Sequence, residues 1–331
     1  MTHKLRFLLR WLFAAVIVLL LILALRRFDG ESVLYSLRQI PLWLVAVLVG
    51  LQVVTQLLVN ALWFQVARLA GVSVSFRQMF YVNCQGAVMD SITPGVKFGG
   101  EITRAVQISR VADCSGEQAA TVVALQKLFS LSCLFFILLF ATGFLLGEMP
   151  VLGHFRFLLY GTLVLLLSLF ICALLMPRPL RNFLEKRKPS ARAWIDRGRG
   201  FLLTLLEQLT AIRKDVKKMT MLLILSFIIW LLYPVKLLLI TMPFTTDASA
   251  IYIGAAGYMA YMVAMLPIFP GGLGGFEATL SGLLTAFGFA LNDAAVVTVL
   301  FRFITFWLVM LGSLGFLGIQ AALKRPRRKG Q

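Results

Sequence analysis

ITPGVKFGGE (Ile92–Glu101) and IFPGGLGGFE (Ile268–Glu277) are the two stretches whose reading decides the fold of this chain. Aligned without gaps, they share Ile92/Ile268, Pro94/Pro270, Gly95/Gly271, Gly99/Gly275 and Glu101/Glu277. Proline removes a backbone donor and turns the residue before it away from helix, while glycine permits the positive φ of a sharp reversal. Each stretch thus predicts a broken helix. The first turn uses Pro94, Gly95, Gly99 and Gly100; the second uses Pro270, Gly271, Gly272, Gly274 and Gly275. After each break a new helix opens on a glutamate, EITR from Glu101 and EATL from Glu277.

Both stretches sit in strongly apolar surroundings. Of 331 residues, 60% are hydrophobic, and the mean hydropathy is +0.89. Apolar runs such as Leu42–Val59, Phe157–Met176 and Met219–Phe244 approach or exceed the ~20 residues that cross a bilayer core. A membrane β-barrel would instead show short alternating segments. The expected class is an all-α polytopic membrane protein.

The net charge of +18 does not point to nucleic acid, because the basic residues lie between apolar spans, where they follow the positive-inside rule and attract anionic headgroups. Cys84, Cys114, Cys133 and Cys172 have no paired spacing and only His3 and His154 accompany them. No metal site or Cys/His catalytic pair is expected, and the cysteines read as small buried side chains. The N-terminal stretch resembles a signal peptide, but Arg26-Arg27 follows with no small-residue cleavage site, so an uncleaved first span is expected.

Basic residues set the topology. Lys4, Arg6 and Arg10, the tail KRPRRK, and the segment Arg178–Lys218 with twelve Lys/Arg against four acids all belong on the cytoplasmic side. Within that segment Phe201–Ile212 reads as an amphipathic helix on the inner leaflet. Six full spans, at 11–27, 41–67, 117–147, 157–176, 219–243 and 293–323, satisfy these constraints only if 78–112 and 249–290 enter and leave on one side. The first would be a re-entrant hairpin from the cytoplasm, the second from the periplasm. Arg26, Arg27 and Arg38 conflict locally with this scheme, offset in part by Asp29 and Glu31.

Residues 1–150 then form one repeat of two spans, a hairpin and a span. Residues 151–324 repeat it upside down around the basic loop 177–218, and 325–331 form a basic cytoplasmic tail. Such an inverted-topology repeat is typical of secondary transporters, and matching Gly/Pro-interrupted segments in the halves point to the substrate site.

Ionisable residues inside a membrane are costly and default to function. Glu101 and Arg104, three apart, should pair. Lys127 lies 26 residues past Glu101, and Arg302 lies 25 past Glu277; both bases are too deep to snorkel, and the glutamates are their natural partners. Lys97, Glu101, Arg104, Lys127, Lys236, Glu277 and Arg302 are the expected substrate-binding set, with Arg and Lys suited to a phosphate. Lys236 follows Tyr233-Pro234, a kink signal. Asp90 has no acidic counterpart, since Leu266 aligns with it. The stripe Gln52, Gln56, Asn60 more often joins helices than lines a path. A purely structural reading stays open, in which Glu101 and Glu277 cap their own helices and the glycines serve close packing.

GGLGGFE lacks the strand and βαβ context of a dinucleotide site, and PGVKFGG lacks the spacing and ending of a P-loop. No cofactor is expected. The favoured reading of these residues is a transporter whose polar cargo carries a headgroup phosphate. The alternatives are an ion-coupled small-solute transporter and a membrane enzyme with a glutamate as acid/base, for which no second catalytic group is visible.

The stretch Pro94–Arg104 together with LPIFPGGLGGFE (Leu266–Glu277) resembles the lysylphosphatidylglycerol synthase transmembrane-region family, over nearly the whole chain. The resemblance implies a bacterial inner-membrane lipid flippase or scramblase-type transporter that moves phospholipid and, ending at Gln331, is expected to lack the synthase domain. It also suggests a homodimer. After the first hairpin, where the family pattern is a Glu-Arg pair followed by Asp, this chain has Gln126-Lys127 and Ser130. The basic position persists without its acidic neighbours.

Overall fold

The computed structural model describes residues 31, 35–36, 38–93, 98–148, 156–186, 193–244, 247–266 and 272–324. The expected first span at 11–27, the tail 325–331, Lys97 and the turn residues Pro94, Gly95, Pro270 and Gly271 lie outside them. The described chain is helical, with no strand.

Four helices are long and apolar enough to cross a membrane. They are α1 (Leu42–Leu69), α4 (Gly116–Glu148), α8 (Val216–Thr241) and a composite last helix. That last helix runs as α11 (Leu291–Arg302), a π-helical turn (Phe303–Trp307) and α12 (Leu308–Lys324). The fifth expected span in the described part, 157–176, is α5 (Arg156–Leu175), followed after one residue by α6 (Pro177–Glu185). Pro177 opens α6, and the two axes meet at 82°, because a proline cannot continue the hydrogen-bond ladder of the helix before it. The basic segment predicted as a loop is itself helical, α6 and then α7 (Ala193–Lys214). Large apolar side chains such as Val53, Leu57, Phe140, Leu165, Ile224 and Leu314 are exposed along the long helices, as lipid-facing surfaces require.

The two broken stretches form helix pairs. α2 (Phe76–Ile92) and α3 (Phe98–Ala112) pack on each other, as do α9 (Ala250–Ala264) and α10 (Gly275–Ala286). At 1.5 Å per residue these helices are about 18–26 Å long, short of a ~30 Å hydrocarbon core. Their starts are well specified. Ser75 and Gln78 form a reciprocal capping box on α2, Ser249 caps α9, and Gly274 donates its backbone N–H to Glu277 Oε2 at 2.7 Å on α10.

α1 and α8 pack side by side and run antiparallel. Leu44 and Leu48 share a core with Leu237, Ile240 and Phe244, whereas Leu62 and Val66 share another with Leu222 and Ile229. The open end of the first helix pair, marked by Met79 and Ile108, belongs to the Leu62–Leu222 core. That of the second, marked by Ile253 and Leu284, belongs to the Leu44–Phe244 core. The two pairs therefore approach from opposite ends of the α1–α8 pair. Leu206, Leu209 and Ile212 of α7 are buried in the first core, so the apolar face of the predicted amphipathic segment is spent on protein rather than on lipid.

Contacts in the two halves exchange with one another. α1 touches α2 as α8 touches α9; α3 touches α4 as α10 touches α11; α2 reaches α12 in the other half as α9 reaches α4. One joint illustrates how tightly the halves interlock. Pro234 lies inside α8 and has no N–H, so the carbonyl of Trp230 loses its helical donor. Tyr258 of α9 donates to that carbonyl at 3.0 Å, while the Trp230 indole donates to Ser130 O on α4 at 2.9 Å. Gly254 and Gly257 face Pro234 and Leu237, and a Cβ on Gly257 would come within 2.9 Å of the leucine.

Candidate functional site

The acidic helix starts at the two breaks each meet a base from the next long helix. Glu101, in the first turn of α3, accepts from Lys127 at 2.7 Å and from Arg104 at 3.0 Å, both on Oε1. Arg104 also donates to Asp90 Oδ2 on α2 at 3.0 Å. In the second half Glu277 Oε1 lies 3.1 Å from Arg302 Nε. Both pairings expected from the spacing are present. Lys127 and Arg302 each sit eleven residues into their helices, about 16 Å along the axis.

The glycines divide the labour that the sequence assigned to them together. Gly272 (φ +72°) and Gly274 (φ +83°) adopt the positive φ of the reversal. Gly99 and Gly100 are already helical. A Cβ on Gly99 would collide with Thr93, and one on Gly100 with Asp90, so these two allow α2 and α3 to close on each other. The capping reading of the glutamates also holds in part. Glu277 gives Oε2 to the Gly274 amide and Oε1 to Arg302, one oxygen to each task.

The two clusters differ in chemistry. The first balances Asp90 and Glu101 against Arg104 and Lys127, and it keeps spare polar capacity: Asp90 Oδ1, Glu101 Oε2 and Arg104 Nε are buried without a partner. The second is lined by aromatics. The Arg302 guanidinium lies 4.2 Å from the ring centre of Phe306 and 4.9 Å from that of Phe276, and Phe276 stacks on Phe301 at 6.0 Å. Cation–π contact helps to hold a guanidinium out of water. The π-helical turn begins at the residue after Arg302; such turns concentrate at functional sites.

Lys236 is not brought to either cluster. It is fully buried, with Nζ donating to Gln52 Oε1 at 2.5 Å and Thr55 Oγ1 at 3.1 Å on α1. The Tyr233 ring centre lies 4.5 Å away. Asn60 accepts from Asn83 at 2.9 Å and donates to Phe76 O at 3.1 Å, so Gln52 and Asn60 join helices, as expected of that stripe.

The sequence reading ranked one feature low and missed two. Asp90 is a full member of the first cluster although its aligned partner is Leu266. Gly86 of α2 makes room for Arg104, since a Cβ there would lie 2.5 Å from the guanidinium Nε; a glycine inside an apolar helix near an arginine was the available signal. The π-helical turn leaves no mark in the residue types. Among the described residues there is no group of His, Cys, Asp and Glu able to hold a metal ion.

Residues 9–313 match the family described as lysylphosphatidylglycerol synthase TM region. The chain belongs to that family. It is similar to a UPF0104 membrane protein of Methanothermobacter thermautotrophicus, 24% identical over 266 residues, covering 75% of this chain and 76% of that protein. A UPF0104 membrane protein of Methanocaldococcus jannaschii is 23% identical over 292 residues, covering 84% and 85% of the two chains. Family and apolar helices together make this a multi-pass membrane protein. Both relatives are archaeal, so the likeness does not place it in a bacterial inner membrane.

Proposed function

We propose that this protein is a lipid transporter of the flippase or scramblase type, carrying a phosphate-bearing or anionic headgroup across the bilayer without covalent chemistry. One observation carries the reading. Two helix pairs approach from opposite ends of the α1–α8 pair, and in each the helix after the break opens on a glutamate bound to a base. In this reading the pairs are re-entrant hairpins of an inverted repeat, and the exchange of contacts between the halves supports it. Broken helices at a repeat interface are where transporters hold polar cargo.

Arg104, Lys127 and Arg302 are the proposed phosphate ligands. Glu101 and Glu277 hold them in place when no headgroup is present, and Lys97, outside the described residues, is proposed from the sequence as a further headgroup contact. The spare atoms of Asp90, Glu101 and Arg104 supply further hydrogen bonds to a polar guest, whose acyl chains stay in lipid. The proposed location is a bacterial inner membrane with both termini cytoplasmic.

The test is reconstitution into liposomes carrying a fluorescent phospholipid, with the outer leaflet bleached chemically. Loss of asymmetry that depends on the headgroup supports transport. Product formation from the lipid, or solute uptake without lipid movement, overturns it.

A further inference from the structure

Three bases are buried among the described residues: Arg104, Lys236 and Arg302. Arg104 and Arg302 have carboxylate partners; Lys236 has only neutral ones. Its three contacts still suit an ammonium, which is all donor: two oxygen acceptors and the face of a tyrosine. Thr55 can accept because its own proton goes to Leu51 O at 2.7 Å. No acid among the described residues touches Lys236, so its ammonium form would bring a positive charge between α1 and α8 that no direct contact offsets.

Lys236 stands behind Gln52 in the wall of a lateral groove. A cavity of about 270 Å³ opens between α1, α2 and α12, with Gln52, Gln56, Asn83 and Ser313 as polar lining and Val53 and Val309 among its apolar lining. Gln52 is 2% exposed and belongs to both places. Its Oε1 is committed to Lys236, which fixes the orientation of the carboxamide, because an ammonium cannot face an NH₂ group. The Nε2 is therefore the atom left over, and it is buried without a partner. Asn83 is similar: its Nδ2 serves Asn60, and its Oδ1 has no partner. A hydrogen bond from an ammonium to Oε1 also polarises the amide and strengthens Nε2 as a donor.

We infer that this groove is a docking site for an anionic phospholipid, with Gln52 Nε2 donating to a headgroup phosphate oxygen and Lys236 acting behind it as a positioning residue. The occupant follows from the lining. Apolar walls that open among exposed lipid-facing residues Val53 and Leu57 suit acyl chain, one oriented donor suits a phosphate, and the uncompensated Lys236 favours a net negative guest. Gln52 is ten residues into α1, about 15 Å along it. The inference rests on the transport reading and deepens it by giving the lipid a place to dock beside the hairpins.

The experiment separates binding from transport. A photo-crosslinking residue replaces Val309 in the groove, or Ile171 in the apolar crevice between α4, α5 and α8 as a control. Each full-length protein is reconstituted with equimolar phosphatidic acid and phosphatidylcholine, and the captured lipid is identified by mass spectrometry. Val309 should capture phosphatidic acid preferentially and Ile171 should not. Gln52→Glu pairs with Lys236 and removes the donor. It should lower the preference about tenfold, the scale of one charge-assisted hydrogen bond, with thermal unfolding unchanged. Lys236→Met frees the carboxamide to rotate and should lower it too. Equal lipid ratios at both positions, a preference untouched by Gln52→Glu, or capture of chain residues 11–27 in place of lipid overturns the inference. Preference without transport in the liposome assay sinks the transport reading and leaves the groove standing; transport without preference does the reverse.

Discussion

Replacing Arg302 by methionine tests whether the second cluster is structural or functional, provided that the change is made alone and then together with Glu277→Gln. Alone, it removes a guanidinium whose side chain is 6% exposed and strands Glu277, which is 28% exposed. Breaking a buried pair from one side costs about 3–5 kcal/mol. The partial exposure of Glu277 brings this nearer ~2–3 kcal/mol, and the lost contacts with Phe276 and Phe306 add about 1 kcal/mol. A destabilisation of roughly 3–4 kcal/mol is expected from these two terms. In the double variant no charge is stranded. The carboxamide introduced by Glu277→Gln would still accept from the Gly274 amide, and a methionine packs well between two aromatic rings. The double should therefore be only about 1 kcal/mol less stable than the parent, and ~2–3 kcal/mol more stable than the Arg302 variant alone.

Thermal unfolding followed by tryptophan fluorescence measures the stabilities, and the liposome assay measures transport on the same samples. The expected result is a double variant that folds nearly as well as the parent but moves no lipid. Parental transport by the folded double variant would refute a phosphate-binding role for Arg302. A double no more stable than the single would refute the energetic account of the pair.

Gly86→Ala places a methyl within 2.5 Å of Arg104 Nε and should cost about 1–3 kcal/mol; displacement of the guanidinium should also slow transport, while the same change at Gly50, with open space around it, should do neither. Tyr258→Phe leaves the Trp230 carbonyl with neither a helical donor nor a hydroxyl and should destabilise by ~0.6–1.7 kcal/mol, the range of interhelical hydrogen bonds in membranes, read by thermal unfolding. A cysteine at Asn292, at the open end of the second helix pair, should react with an impermeant thiol reagent added from the periplasmic face of cells. Labelling only after permeabilisation contradicts entry of that pair from the outside.

The sequence by itself determined the helical membrane class, four of the expected spans and the place of the two breaks. Apolar runs of 20 or more residues, and Pro-Gly turns within two of the weaker ones, have few other physical solutions in a bilayer. It also determined the pairs Glu101–Lys127 and Glu277–Arg302. Lys127 and Arg302 inside their spans favour carboxylate partners, and the parallel spacings of 26 and 25 residues point to the glutamate that opens the helix after each break. Tertiary structure decided what depends on how helices dock. Asp90 joins Arg104 only because Gly99 and Gly100 let α2 and α3 close. The apolar face of α7 lies against protein because the Leu62–Leu222 core offers it a surface. Lys236 is committed to Gln52 rather than to a hairpin because α1 and α8 run antiparallel at that height. The π-helical turn after Arg302 was illegible for the same reason. Side-chain partners across helices are set by axial register and rotation, and the one-dimensional pattern of apolar residues carries neither.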